Sequence, residues 1–160
     1  MFKTVLSFAA SAFLSASALA GPAVRPIYLA APDGRAVELR VRDAMTPAET
    51  LRGLMFESSL SGYDGMLFDF GRPREVRMWM KNTYISLDML FFDAGGVARC
   101  VRRGTLPMSL AKIACDGHKT RWVLEIEAGR ADAAGLAEGS RLLQRAGESG
   151  INRGSAAAGE

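Results

Sequence analysis

Apolar and polar positions alternate cleanly over residues 36–42, where Val37, Leu39 and Val41 are interleaved with Glu38, Arg40 and Arg42. A period of two predicts a strand with one buried and one wet face. A preceding apolar run at 26–31 predicts its partner, and Pro32-Asp33-Gly34-Arg35 between them has the chemistry of a tight turn. The period then lengthens. Thr46, Pro47 and Glu49 have the spacing of an N-cap, a first helical position and a capping box. Leu51, Leu54 and Met55 would form the core-facing stripe of that helix, which is expected to end near Phe56.

Polar Ser58–Asp64, with Gly62, reads as a loop. Apolar runs at Met66–Phe70, Val76–Met80 and Met89–Phe92 predict three further strands, the first two joined by a turn at Gly71-Arg72-Pro73-Arg74. Asp93-Ala94-Gly95-Gly96 is a hairpin signal leading into Val97–Val101. Residues 102–119 lack periodicity and carry the breakers Pro107 and Gly117. Alternation returns at Thr120–Ile126, with Trp122, Leu124 and Ile126 set against Arg121, Val123 and Glu125; Trp122 reads as a core aromatic. A short helix at Arg130–Leu136 and a last strand at Arg141–Leu143 complete the pattern. Many short strands and few helical windows predict an α+β domain: a mostly antiparallel, small barrel-like sheet with one or two short helices packed on it.

The two ends of the chain read differently. Residues 1–20 carry Lys3, an apolar stretch from Val5 to Leu14 and Ala18-Leu19-Ala20, the pattern of a secretory signal peptide. Its apolar part is short for a transmembrane span and is interrupted by serines. Residues 144–160 are Gly, Ser, Ala and charge, with little to bury, and are expected to be disordered. The division expected is therefore 1–20 signal peptide, 21–143 a single β-rich domain and 144–160 tail. A chain of 160 residues suits one domain. The expected destination is a periplasm or the cell exterior, with no membrane span after cleavage.

Export changes the reading of Cys100 and Cys115, the two cysteines of the chain. In an oxidising compartment a disulfide is favoured over two thiols, and a loop of about 16 residues closed this way is worth about 3 kcal/mol. Free thiols, or metal ligation by both cysteines with His118, are the alternatives. A net charge of +3, with 20 basic against 17 acidic residues, gives no block that announces nucleic-acid binding. One histidine excludes any mechanism that needs two.

The order of motifs is more specific than the composition. Gly53-Leu54-Met55-Phe56 is followed by Gly65-Met66-Leu67-Phe68-Asp69-Phe70, then by Met78-Trp79-Met80-Lys81-Asn82-Thr83 running into Ile85-Ser86-Leu87-Asp88. Val123-Leu124-Glu125-Ile126-Glu127-Ala128-Gly129 and Gly135-Leu136-Ala137-Glu138-Gly139 come later. Together they resemble the domain of unknown function 192 family over about residues 37–143. Gly53, Met55, Gly65, Met66, Trp79, Met80 and Thr83 carry the resemblance, and Glu57 and Ser86 depart from it, where the family usually shows a basic residue and Pro. It implies a small β-rich domain, often exported, with no established activity and no catalytic residues to carry over.

Function is therefore read from the residues. Lys81, Asn82 and Asp88, with Thr83 between them, form the densest polar group, and with Glu125 they are the candidate site for a small polar ligand. The bland alternative is a turn whose side chains satisfy its own backbone, with Lys81 paired to Asp88. The leading expectation is an exported, non-enzymatic accessory or ligand-binding module of the cell envelope, without a cofactor or metal. A carbohydrate-acting hydrolase using Asp88 and Glu125 as paired carboxylates is the rival from another class. Copper handling through Met78 and Met80, whose thioethers would share one strand face, is the third reading.

Overall fold

The computed structural model describes residues 23–143; the signal peptide and tail expected from the sequence lie outside them. The described elements, in chain order, are β1 (Val24–Ala30), β2 (Ala36–Ala44), α1 (Pro47–Arg52), β3 (Gly65–Arg74), β4 (Leu87–Phe92), β5 (Ala98–Arg102), β6 (Thr120–Glu127), α2 (Arg130–Ala133) and β7 (Arg141–Leu143). The strands form one sheet in the order β5-β4-β6-β3-β2-β1-β7. The sheet curls until its ends meet: Val97, beside β5, bridges to Arg141 of β7, and the Leu142 N–H donates to the Gly96 carbonyl at 2.7 Å. This is the barrel-like α+β architecture that the short alternating strands predict. Among the described residues no helix is long and apolar enough to cross a membrane.

Two features depart from the sequence pattern. β2 and β3 pair in parallel, because α1 and the loop after it carry the chain back to the start of the sheet. Val76–Met80 is not a ladder strand. β3 runs on through the expected turn to Arg74, with a register shift between Asp69 and Arg74, and only Met78 forms a bridge, to Ile113. The apolar residues of this stretch are real core: Val76 and Met80 are buried, yet they serve a strap laid across the sheet.

The curl gives the sheet two buried faces. Inside it, Ile27, Leu29, Leu39, Leu67, Leu90, Phe92, Leu124 and Ile126 pack with Ala131 and Leu136. On the other face Met66, Phe68, Leu87, Met89, Phe91 and Val123 pack under Leu54 and the strap residues Val76 and Met80. All six residues of β4 are buried for this reason. Between β3 and β6 the backbones approach so closely that a Cβ on Gly65 would lie 2.1 Å from the Glu125 carbonyl oxygen, so only glycine fits. Trp122 is half-buried against the inner core, with the Arg121 guanidinium 4.9 Å from its ring.

α1 begins as expected. The Thr46 hydroxyl accepts the Glu49 N–H at 3.2 Å, and the Glu49 carboxylate accepts the Thr46 N–H at 2.9 Å. It ends sooner than expected, at Arg52, where Gly53 takes a positive φ of 49°. The stripe therefore breaks up: Leu54, past the helix, is buried, whereas Leu51 is exposed. α2 is also shorter than its sequence window. Cys100 and Cys115 are joined by a disulfide with Cα atoms 5.9 Å apart, pinning the irregular 102–119 segment to β5. With both sulfurs so engaged and His118 exposed, Cys-His ligation has no basis. Among the described residues no group of three His, Cys, Asp or Glu side chains could hold a metal ion.

Candidate functional site

The strap and α1 do not close completely over the outer face of the sheet. Between them lies a cleft of about 1060 Å³, lined by Gly53, Leu54 and Met55 after α1, Phe68 and Phe70 of β3, and Val76 to Trp79, Lys81 and Thr83 of the strap. Glu125 belongs to its floor. The strand period decides this. On β6, Glu125 shares a face with Val123, so it points toward the outer cluster while Leu124 and Ile126 point inside the curl.

Glu125 is 4% exposed, its strand neighbours are Met66 and Met89, and no described group donates a hydrogen bond to its carboxyl or forms an ion pair with it. Burial alone pushes its pKa up to about 8, so at neutral pH it is mostly a protonated acid able to donate a hydrogen bond into the cleft. Thr83, also buried, lines the cleft from the strap side, but its hydroxyl donates to the Lys81 carbonyl at 3.2 Å.

The rim is cationic. Arg52, Arg74, Arg77, Lys81 and Arg121 line the cleft against Asp69, Glu75 and Glu125. Arg121 is committed to Asp69, with Nη2 3.0 Å from Oδ2. Arg74 lies over the Phe70 ring at 4.8 Å and Lys81 over Trp79 at 5.4 Å, so both charges are held at the cleft edge by aromatic faces. The floor and walls are apolar, with one neutral acid at the base and a positive mouth. An apolar body, a hydrogen-bond acceptor at one end and an anionic group at the other are the chemical features complementary to such a cleft.

The four residues nominated from sequence separate. Lys81 and Glu125 share the cleft. Asn82 adopts a positive φ of 54° and uses its carbonyl to accept the Phe56 N–H at 2.8 Å, a turn role. Asp88 lies on the opposite face of the sheet from Glu125: its β6 partner is Ile126, which points inside the curl. There it is fully buried, accepting the Gly104 N–H at 3.0 Å on one oxygen and the Gly129 and Ala131 N–H groups at 2.9 and 3.0 Å on the other. Neither the expected Lys81–Asp88 pair nor an Asp88–Glu125 carboxylate dyad forms, so paired-carboxylate hydrolysis loses its geometry. Met80 is fully buried and its sulfur accepts from the Thr105 hydroxyl at 3.2 Å, while Met78 sits half-buried against the same cluster. Both methionines serve as core filler, which removes the reason for the copper reading.

Of the motif residues, Gly53, Met55, Trp79 and Thr83 line the cleft, whereas Met66 and Met80 are core and Gly65 permits the β3–β6 approach. Sequence reasoning missed Arg74, Arg77, Arg121 and Phe68. The clustering of Arg72, Arg74 and Arg77 around a strand end was the signal available for the first two. Glu57, where a basic residue is usual, pairs with Arg42 at 2.9 Å beside Tyr63 and stays out of the cleft.

Comparison with curated proteins finds no match. Among solved structures, a Sinorhizobium meliloti 1021 protein described as a "putative transcription regulator" is 38% identical, with a TM-score of 0.72 over 78% of this chain and 95% of that one. A protein of unknown function from Novosphingobium aromaticivorans DSM 12444 is 28% identical, with a TM-score of 0.70 over 79% and 94%. The family model of DUF192, described as an uncharacterized ACR, matches residues 29–144, which spans every strand and both helices of the sheet described above except the first residues of β1. The chain belongs to this family.

Proposed function

We propose that the domain is an exported, non-enzymatic module that binds a small amphipathic organic anion in the Glu125 cleft. The observation that carries this reading is the Glu125 carboxyl itself, buried, without a partner and open to the cleft. A buried polar group without a hydrogen bond costs about 1–3 kcal/mol, and a ligand acceptor supplies the missing partner. The apolar body would lie along Phe68, Leu54 and Val76, and the anionic group would meet Lys81, Arg74 and Arg77 at the mouth. Binding is favoured over hydrolysis because, among the described residues, no second carboxylate is buried beside Glu125: Asp69 is held by Arg121, Asp88 is occupied by backbone N–H groups on the opposite face, and Glu75 stands exposed at the rim. The regulator description of the Sinorhizobium relative is not carried over, since α1 and α2, of six and four residues, are too short to read a DNA groove.

The test is capture of small molecules from a host extract on the protein, identified by mass spectrometry, with Glu125→Met and Lys81→Glu in parallel. Organic anions enriched on the natural protein should bind each variant about tenfold or more weakly. A set of compounds captured equally by all three proteins would sink the reading.

A further inference from the structure

We propose that the face built from residues 76–87 and 101–115 seats the protein on an anionic lipid surface. Neither stretch contains a single Asp or Glu, whereas together they carry Arg77, Lys81, Arg102, Arg103 and Lys112. The fold lays them side by side. Met78 and Ile113 exchange hydrogen bonds at 2.8 and 2.9 Å, the Met80 N–H donates to the Ser109 carbonyl at 3.0 Å, and the Met108 N–H to the Thr83 carbonyl at 3.0 Å. Phe56 joins them through its N–H on Asn82, its ring 6.3 Å edge-on to Tyr84.

With the backbone groups satisfied by one another, the large apolar side chains point to water. Leu106 is 72% exposed, Leu110 71%, Met108 52%, Phe56 56%, Tyr84 51% and Trp79 44%. So many large apolar groups together mark a surface that something covers. The described non-glycine residues with left-handed backbone, Phe56, Asn82 and Met108, all fall here, a clustering of strain of the kind that functional surfaces retain.

The arrangement fits a bilayer surface. Leu106, Met108 and Leu110 project from one irregular segment, as side chains that enter acyl chains separately do. Trp79 and Tyr84 supply the amphipathic aromatics of the headgroup layer, and Arg77, Lys81 and Arg102, which pair with no carboxylate among the described residues, complement anionic headgroups. Arg103 and Lys112 are partly neutralised by Asp132 at 2.7 Å and Asp116 at 3.5 Å. This surface borders the mouth of the cleft and shares Arg77, Trp79 and Lys81 with it, whereas Leu106, Met108 and Leu110 lie outside the cleft and separate the two proposals.

Because the chain has two tryptophans, Trp122→Phe leaves Trp79 as the reporter. That protein, as recovered from its host, is mixed with vesicles of phosphatidylcholine alone or with phosphatidylglycerol added. The expected result is co-sedimentation and a blue shift of Trp79 emission with the anionic vesicles, both suppressed by salt. A Leu106→Asp, Leu110→Asp double variant in the same background should partition about tenfold or more weakly, with an unchanged unfolding midpoint because both sites are exposed. The N-terminal residues are common to both proteins, so the difference reports this face. No binding to anionic vesicles, equal binding to neutral ones, equal binding by the double variant, or the blue shift arising with DNA or an acidic protein in place of vesicles would each overturn the proposal.

Discussion

At the scale of single residues, two buried carboxylates have opposite fates. Asp88 is surrounded by N–H donors and Glu125 by methionines and a cleft. The Glu125 carboxyl binds its proton more tightly in the folded chain, near pH 8, than in the unfolded chain, near the ordinary value of 4.5. Between those values the folded state holds the extra proton, so stability is fullest below about pH 4.5 and falls as pH rises toward 8. Glu125→Gln removes this dependence. The variant should gain stability on the order of a few kcal/mol at pH 8 relative to the natural protein, and little at pH 4.5. Urea unfolding at both pH values checks it; parallel curves for the two proteins would mean that Glu125 ionises normally.

Asp88 acts at the scale of elements. α2 has only four residues and starts at Gly129, which has no side chain to cap it. Asp88 supplies the missing cap from β4, binding the Gly129 and Ala131 N–H groups together with Gly104 beyond β5. Asp88→Asn replaces one acceptor oxygen by an NH2 that faces donors, so a cost of about 1–3 kcal/mol is expected in the urea midpoint. Binding in the Glu125 cleft should survive, since the two carboxylates occupy opposite faces. An unchanged midpoint would contradict the capping role. The elements themselves were largely legible where period and capping agreed: the Thr46–Glu49 box marks α1, and Val37, Leu39 and Val41 mark the inner face of β2. Val76–Met80 misled because a strap buried on one side has the same apolar content as a strand.

At the scale of the whole molecule, the disulfide anchors the long 102–119 segment that forms half of the apolar, acid-free face. A bridge over 15 positions is worth about 3 kcal/mol by restricting the unfolded chain. Cys100→Ser with Cys115→Ser should therefore lower the unfolding midpoint, and a reductant should then have no further effect; a reductant that leaves the natural protein unaffected would count against the bond. Sheet closure between β7 and Gly96–Val97 should persist in the variant, because its hydrogen bonds lie apart from the bridge.

The sequence alone determined what depends on neighbours along the chain. Strand periodicity, the helix start, the hairpin at Asp93–Gly96 and the family motifs all rest on spacings of a few residues. It also nominated Lys81, Asn82, Asp88 and Glu125 as site candidates, of which Lys81 and Glu125 line the cleft. Which side of a sheet faces a cleft, and whether a buried acid finds donors, depends on register and on elements brought from far along the chain. One position separates the face of Glu125 from that of Ile126, and through Ile126 the partner strand sends Asp88 to the other side. The N–H groups that satisfy Asp88 come from positions 104, 129 and 131, contacts that no local pattern encodes. Tertiary structure alone therefore decided that one carboxylate holds the fold together and the other is left open.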